Sequence, residues 1–313
     1  MCPACESPEF RTLFAAGDRL GRTSPRVFHV VECARCRLIR LHPRPGGEEL
    51  RGSTPGDPWF AAGPSLAERW GEAVRRLVLC DQVSFVRRAV KECGESGPVL
   101  EVSSGSGTFV QMLRQEGVAV LSLHPAVEGA SWCWRRGGAP SMCGRLEEAP
   151  VRPESCAAVT LFHILEHLPD PHAYVVSAGR LLRPAGRLIV AVPNAACWQF
   201  LLLGENWSGL DVPRHLLDFR ARDLETLLDT CGFQVLRRKY FSLCDNAAGF
   251  ATSLAPWLDP AVRRVRNLAE SPGKKLLKDL AYLALAVGAL PFTVVEAACQ
   301  AGSTFLVEAC KKQ

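Results

Sequence analysis

Three features of the sequence predict an α/β protein whose mainly parallel sheet carries helices on both faces. From residue 98 onward, short apolar segments alternate with stretches of helical periodicity, the pattern of successive strand–helix units. The first of these strands, PVLEV (98–102), ends in an acid and runs through small residues into a helix. Ahead of this series stand two Cys-x-x-Cys pairs in a stretch with little helical periodicity.

Each element follows from its local pattern. Residues 1–45 carry the cysteine pairs. Residues 46–64 are rich in Gly and Pro and read as a linker, and 46–95 as a whole forms linker and helical cap. Leu66, Trp70, Val74, Leu77, Val78, Phe85, Ala89 and Val90 recur at helical spacing and predict a helix over 66–92. Strands are expected at 98–102, 118–123, 157–162, 187–194, 233–241 and 303–310, with helices at 107–116, 171–182 and 223–230. These place the α/β domain at 96–241 and its last strand within 302–313. Residues 242–301 form a helical insertion before that strand.

The insertion contains the apolar run 281–295, 15 residues interrupted by Pro291. That length is too short to span a bilayer comfortably. A helix apolar on all sides is covered by something. The run, with the basic KKLLK stretch before it, therefore reads as a lid over an apolar acceptor or a helix resting on a membrane surface. A dimer face or plain core packing explains it equally well.

Composition narrows the function. The net charge of +5 over 313 residues is too mild to predict a nucleic-acid partner, and clusters such as Arg237-Arg238-Lys239 are short. The opening MCPACESPEF has neither a basic n-region nor an apolar h-region, which points to a cytoplasmic protein with reduced thiols. In that setting Cys2, Cys5, Cys33 and Cys36 read as a four-cysteine Zn(2+) site, with free thiols or a redox pair as the other explanation. Four thiolates leave no open coordination position, so such a site is structural.

The loop after the first strand, LEVSSGSGTF, is a strand–loop–helix cradle, although the dinucleotide fingerprint G-x-G-x-x-G is not met. Further on, HILEHLPDPHAYVVSAGRLLRPAGRLIVAVPN (163–194), CARCRLIRLHPRP and ENWSGLDVPRHLLDFRARDLETLLDTCGF complete a recognisable series. Together they resemble class I S-adenosylmethionine-dependent methyltransferases. The similarity is to the bacterial group with an N-terminal four-cysteine zinc module, which includes sugar and natural-product methyltransferases. The resemblance implies a Rossmann-like sheet, an S-adenosyl-L-methionine cofactor and a small-molecule acceptor. It carries the cofactor role onto Glu101, Ser103, Gly105 and Gly107 in the loop, His124 at the end of the second strand, and Glu147 near the adenine.

Departures from the family pattern gather on that side. His124 stands where an acid usually holds the ribose, Arg145 where a second acid is common, and Cys156-Ala157 where strand 4 usually begins Phe-Asp. A rival function follows from them: a methyltransferase-like protein with a repurposed or lost cofactor site, acting as a binding subunit or in other chemistry. On the acceptor side, His163, His167 and His215 are candidate general bases, and Glu166, Asp211 and Arg214 candidate substrate-orienting groups. His163-Ile-Leu-Glu166-His167 also fits the H-x-x-E-H pattern of inverted zinc peptidases, but it leaves a strand and runs into Leu-Pro-Asp-Pro rather than lying on a long helix.

Overall fold

The computed structural model describes residues 1–53, 66–102, 107–242 and 245–312, with backbone only for 51–53, 66–71, 73 and 74. Cys2 and Cys5 precede, and Cys33 and Cys36 sit at the β2–β3 turn of, an antiparallel sheet that the sequence pattern did not announce: β1 (Phe10–Gly17), β2 (Val27–Cys33) and β3 (Ile39–His42). Phe28 and Val30 on β2 and Ile39 and Leu41 on β3 bury a core that they share with Cys197, Phe200, Trp207 and Leu210 from the α/β segment. The stretch expected to be a linker opens with a short helix, Gly47–Ser53.

The central sheet holds β4 (Val99–Val102), β5 (Val120–His124), β6 (Ser141–Cys143), β7 (Cys156–Phe162) and β8 (Leu182–Pro193) in parallel. The two-residue β9 (Leu217–Asp218) is the exception: it pairs with β3, so the N-terminal sheet takes its fourth strand from within the α/β segment. β10 (Phe233–Lys239) and β11 (Thr304–Lys311) complete the central sheet, and β11 runs antiparallel to both its neighbours. The strand order is β10-β11-β8-β7-β4-β5-β6. β4, β7 and the second half of β8 are buried along almost their whole length, as strands covered on both faces must be.

Helices Leu66–Cys93, Thr108–Gln115, Val127–Gly137, Pro171–Leu181 and Ala221–Thr230 flank the sheet. Leu66–Cys93 lays Val83, Val86 and Ala89 against Val99, Val110 and Ile189. Burying side chains of this kind contributes about 1.5–3 kcal/mol each. Pro171–Leu181 starts where Asp170 accepts from the Ala173 amide, with Pro171 at a position whose missing N–H costs nothing. Helix Val127–Gly137 and β6 fall in a stretch for which the sequence suggested no element.

The insertion is helical as expected, with helices Asn246–Leu254, Pro260–Val265 and Pro272–Ala298. The last corrects the reading of 281–295 as a short, interrupted run. The helix continues through Pro291 for 27 residues and is, by length and composition, apolar enough to cross a membrane. Its C-terminal end is anchored, with buried Glu296 accepting from the Gln199 amide and side chain at 3.0 and 2.8 Å. Toward its start, Leu276, Leu277, Leu280, Leu283 and Val287 are exposed.

Candidate functional site

Strand order reverses between β4 and β7, which places a crevice beyond their carboxyl ends. Glu101 stands on β4 beside Ser122 of β5 and Thr160 of β7. Ser122 Oγ donates to Glu101 Oε2 at 2.9 Å and lies 2.7 Å from His124 Nε2. Since the single hydroxyl proton is spent on Glu101, His124 must donate to the serine, so its Nε2 carries a proton. His124 is buried, under Gly129, where a Cβ would come within 3.1 Å of its Nδ1. The side chain expected at the ribose therefore turns inward along β5, into a His124–Ser122–Glu101 chain.

Gly107 has a left-handed backbone (φ 75°) at the start of helix Thr108–Gln115, and an added Cβ would press on Cys133 Cα at 3.3 Å. Thr108 beside it donates to Glu72, which also accepts from Arg136 at 2.7 Å. This cluster at the helix N-terminus was missed in the sequence, because only the fold brings residue 72 to it. Ser103 and Gly105 lie outside the described residues. The Glu147 side chain pairs with Arg145 at 2.9 Å, Arg180 donates to its backbone carbonyl, and Tyr174 lies near enough to feel its charge. It lies in the turn that follows β6 and packs beside helix Pro171–Leu181.

The acceptor-side residues do come together, because two loops are tied by the Leu216 amide donating to the Glu166 carbonyl at 2.7 Å. His163, in a left-handed turn after β7 (φ 53°), has Nδ1 at 3.2 Å from Glu166 and Nε2 at 3.6 Å from Asp245. Burial disfavours its charge, but Asp245 and Glu166 outweigh that and hold its pKa well above the usual imidazole value. That shift favours the charged imidazole. Asp245 is a partner that sequence spacing gave no sign of.

His167 Nδ1 is bonded to the Arg214 carbonyl at 3.0 Å and His215 Nδ1 to the Gly209 carbonyl at 2.7 Å. A carbonyl only accepts, so both rings carry Nδ1–H, and the nitrogen left to take or share a proton is Nε2. The rings meet edge to face with centroids 4.7 Å apart. Burial, with help from His167, lowers the His215 pKa to about 4. Glu166, expected to orient substrate, is wholly buried beneath them. Asp211 and Arg214, expected in the same role, are spent on each other. Arg214 Nε donates to Asp211 at 2.8 Å, and Arg214 Nη2 also lies 3.5 Å from the fully buried carboxylate of Asp18. These charges tie the 211–214 turn to Asp18 in the loop after β1.

At the N-terminus the four cysteine sulfurs lie within 4.8 Å of one another, with Cys2–Cys36 at 3.5 Å and Cys5–Cys33 at 3.6 Å. These are too long for disulfides. They are close to the edges of about 3.8 Å that a zinc–thiolate tetrahedron requires. Both knuckles share one backbone form: the residue after the second cysteine, Glu6 or Arg37, is left-handed, and its amide donates to the first cysteine's carbonyl. The donor set and its spacing fit zinc.

Residues 72–238, over half of the chain, match the family described as Methyltransferase domain. A Mycolicibacterium smegmatis protein described as a "probable S-adenosylmethionine-dependent methyltransferase" is 34% identical over 160 residues, covering 49% of this chain and 58% of that protein. The chain thus matches little more than half the length of that relative. The ubiquinone biosynthesis O-methyltransferase of Pseudomonas fluorescens SBW25 is 26% identical over 50% of this chain and 72% of its own. Among solved structures, that of a Galdieria sulphuraria protein described as a sarcosine dimethylglycine methyltransferase shares the fold. It covers 74% of this chain and 84% of its own, at 16% identity and a TM-score of 0.50. With the family match spanning the switch-point crevice itself, the chain belongs to the methyltransferase-domain family of S-adenosylmethionine-dependent enzymes.

Proposed function

We propose that the protein transfers a methyl group from S-adenosyl-L-methionine to a small-molecule acceptor of the sugar or secondary-metabolite kind, and that Cys2, Cys5, Cys33 and Cys36 hold one structural Zn(2+). The observation that supports the methyl-transfer reading is topological: Glu101 is buried on β4 beside β7, the helix that starts at Gly107 follows β4, and His163 follows β7, the two strands at the switch point. S-adenosylmethionine would supply an electrophilic methyl sulfonium, with Glu101 and the start of helix Thr108–Gln115 holding it. The acceptor loses its proton at the His167–His215 pair, whose Nε2 atoms are in the tautomer for it, while charged His163 orients the acceptor or balances Glu166. Displacement at a methyl needs alignment more than covalent help, so positioning supplies most of the rate. The mycobacterial and ubiquinone-pathway relatives, described as methyltransferases, support this reading.

A second reading rests on His124. Buried and bonded to Ser122, it offers the ribose no carboxylate, which favours a repurposed cofactor crevice and a non-methylating binding role. Calorimetric titration with S-adenosylmethionine and S-adenosylhomocysteine separates the two. Binding tighter than about millimolar, a free energy beyond about −4 kcal/mol, is expected. No heat from either ligand would leave the second reading standing.

A further inference from the structure

Three titratable groups on the acceptor side form an arrangement that acid–base chemistry alone does not account for. One ligand atom each from Glu166, His167 and His215 lies within 4.8 Å of the other two. Both imidazoles are fixed by backbone carbonyls on Nδ1, the outer-shell device that aims Nε2 lone pairs at a cation. Glu166 Oε2 is buried with no hydrogen-bond partner, although the side chain is completely enclosed. Asp218 on β9 is buried too, and burial with the charge of Glu166 raises its pKa, so it favours the neutral acid and adds no second negative charge. Buried carboxylate oxygens without donors are expensive. The unpartnered Glu166 oxygen beside two oriented imidazoles is an unfilled donor set, because His163 is taken up by the other Glu166 oxygen. His167 keeps contact with solvent, which gives an ion a way in.

We infer that Glu166, His167 and His215 bind a divalent cation of the zinc class, distinct from the four-cysteine site. Two imidazoles and one carboxylate are a borderline donor set that suits Zn(2+) better than Mg(2+) or Ca(2+). Three protein ligands leave one position open, as in sites that take a water or substrate oxygen. Resting here on the methyl-transfer reading, the open position takes an acceptor hydroxyl or phenol oxygen. Coordination lowers that oxygen's pKa, its proton passes to solvent, and the oxygen attacks the sulfonium methyl as the C–S bond breaks. The imidazoles then act on the proton through the ion instead of directly.

Cobalt titration of the metal-free, reduced full chain tests the site without cofactor or acceptor. The first equivalent is expected to show thiolate-to-metal charge transfer from the cysteines. A second equivalent should add only weaker d–d absorption, and His167→Ala and His215→Ala should abolish it while keeping the thiolate band as evidence of folding. Should either variant lose that band, Glu166→Gln is read in its place, and a weakening of the second site by about tenfold or more is expected. A single equivalent in the wild-type chain, or a second one that survives these substitutions unchanged, overturns the inference. Failure to bind S-adenosylmethionine would instead remove the methyl-transfer reading and leave the cobalt stoichiometry untouched.

Discussion

His124 shows how one side chain decides between two functions. Ser122 gives its only proton to Glu101, so whatever faces the serine from position 124 must donate. An aspartate there cannot, and it would add a second negative charge beside Glu101. His124→Asp is therefore expected to weaken S-adenosylhomocysteine binding by about tenfold, a cost of about 1.4 kcal/mol, as read by calorimetry. Tighter binding would mean that the histidine is a lesion and that the repurposed-site reading is correct. Glu101→Gln, which keeps the shape and removes the charge, should also weaken binding while leaving thermal stability nearly unchanged. At the other end of the chain, Cys33→Ser removes one of four thiolates. Metal analysis should drop from about one zinc per chain at the cysteine site to a small fraction, with a lower melting temperature.

At the scale of elements, what the sequence disclosed followed the strength of local pattern. The strands at Val99–Val102, Val120–His124, Cys156–Phe162 and Thr304–Lys311 and the helix Leu66–Cys93 were legible, because periodicity and flanking Gly or Pro fix them. The sheet β1–β3 was not, since charged residues interrupt its apolar pattern, exposed Arg11 on β1 and buried Glu32 and Arg40 on β2 and β3. The cysteine cluster and the meeting of HILEH with DVPRH were readable as motifs. Their partners Asp18, Asp245 and Asp218 were not, being assembled only by tertiary contact. Asp18 makes this testable. Burial raises its pKa, but the Thr23 hydroxyl and amide, Arg214 and the Gly21 amide together bring it below the usual carboxylate value. A carboxyl depressed in the folded state adds stability that is present above its unfolded pKa, about 3.9, and is lost as pH falls through the folded value. Asp18→Asn should accordingly lower the melting temperature at pH 7, and the gap from wild type should narrow below pH 4.

For the whole molecule, the helix Pro272–Ala298 presents Leu276, Leu280, Leu283 and Val287 on one exposed stripe. Soluble monomers seldom leave such a stripe bare. Without detergent the chain should elute above its 34.1 kDa mass, and Leu276→Lys with Leu280→Lys should return it to the monomer position. Another consequence of the architecture concerns inheritance rather than association. Because β9 closes the cysteine-bearing sheet from the stretch that follows His215, with Arg220 reaching Glu32 at 2.9 Å, the N-terminal module ends in space where it does not end in sequence. A chimera that exchanges residues 1–45 between relatives would graft a sheet missing one strand. The smallest heritable unit is that segment together with about 206–220, so the cysteine-bearing sheet and the loop that carries His215 should travel, and diverge, as a pair.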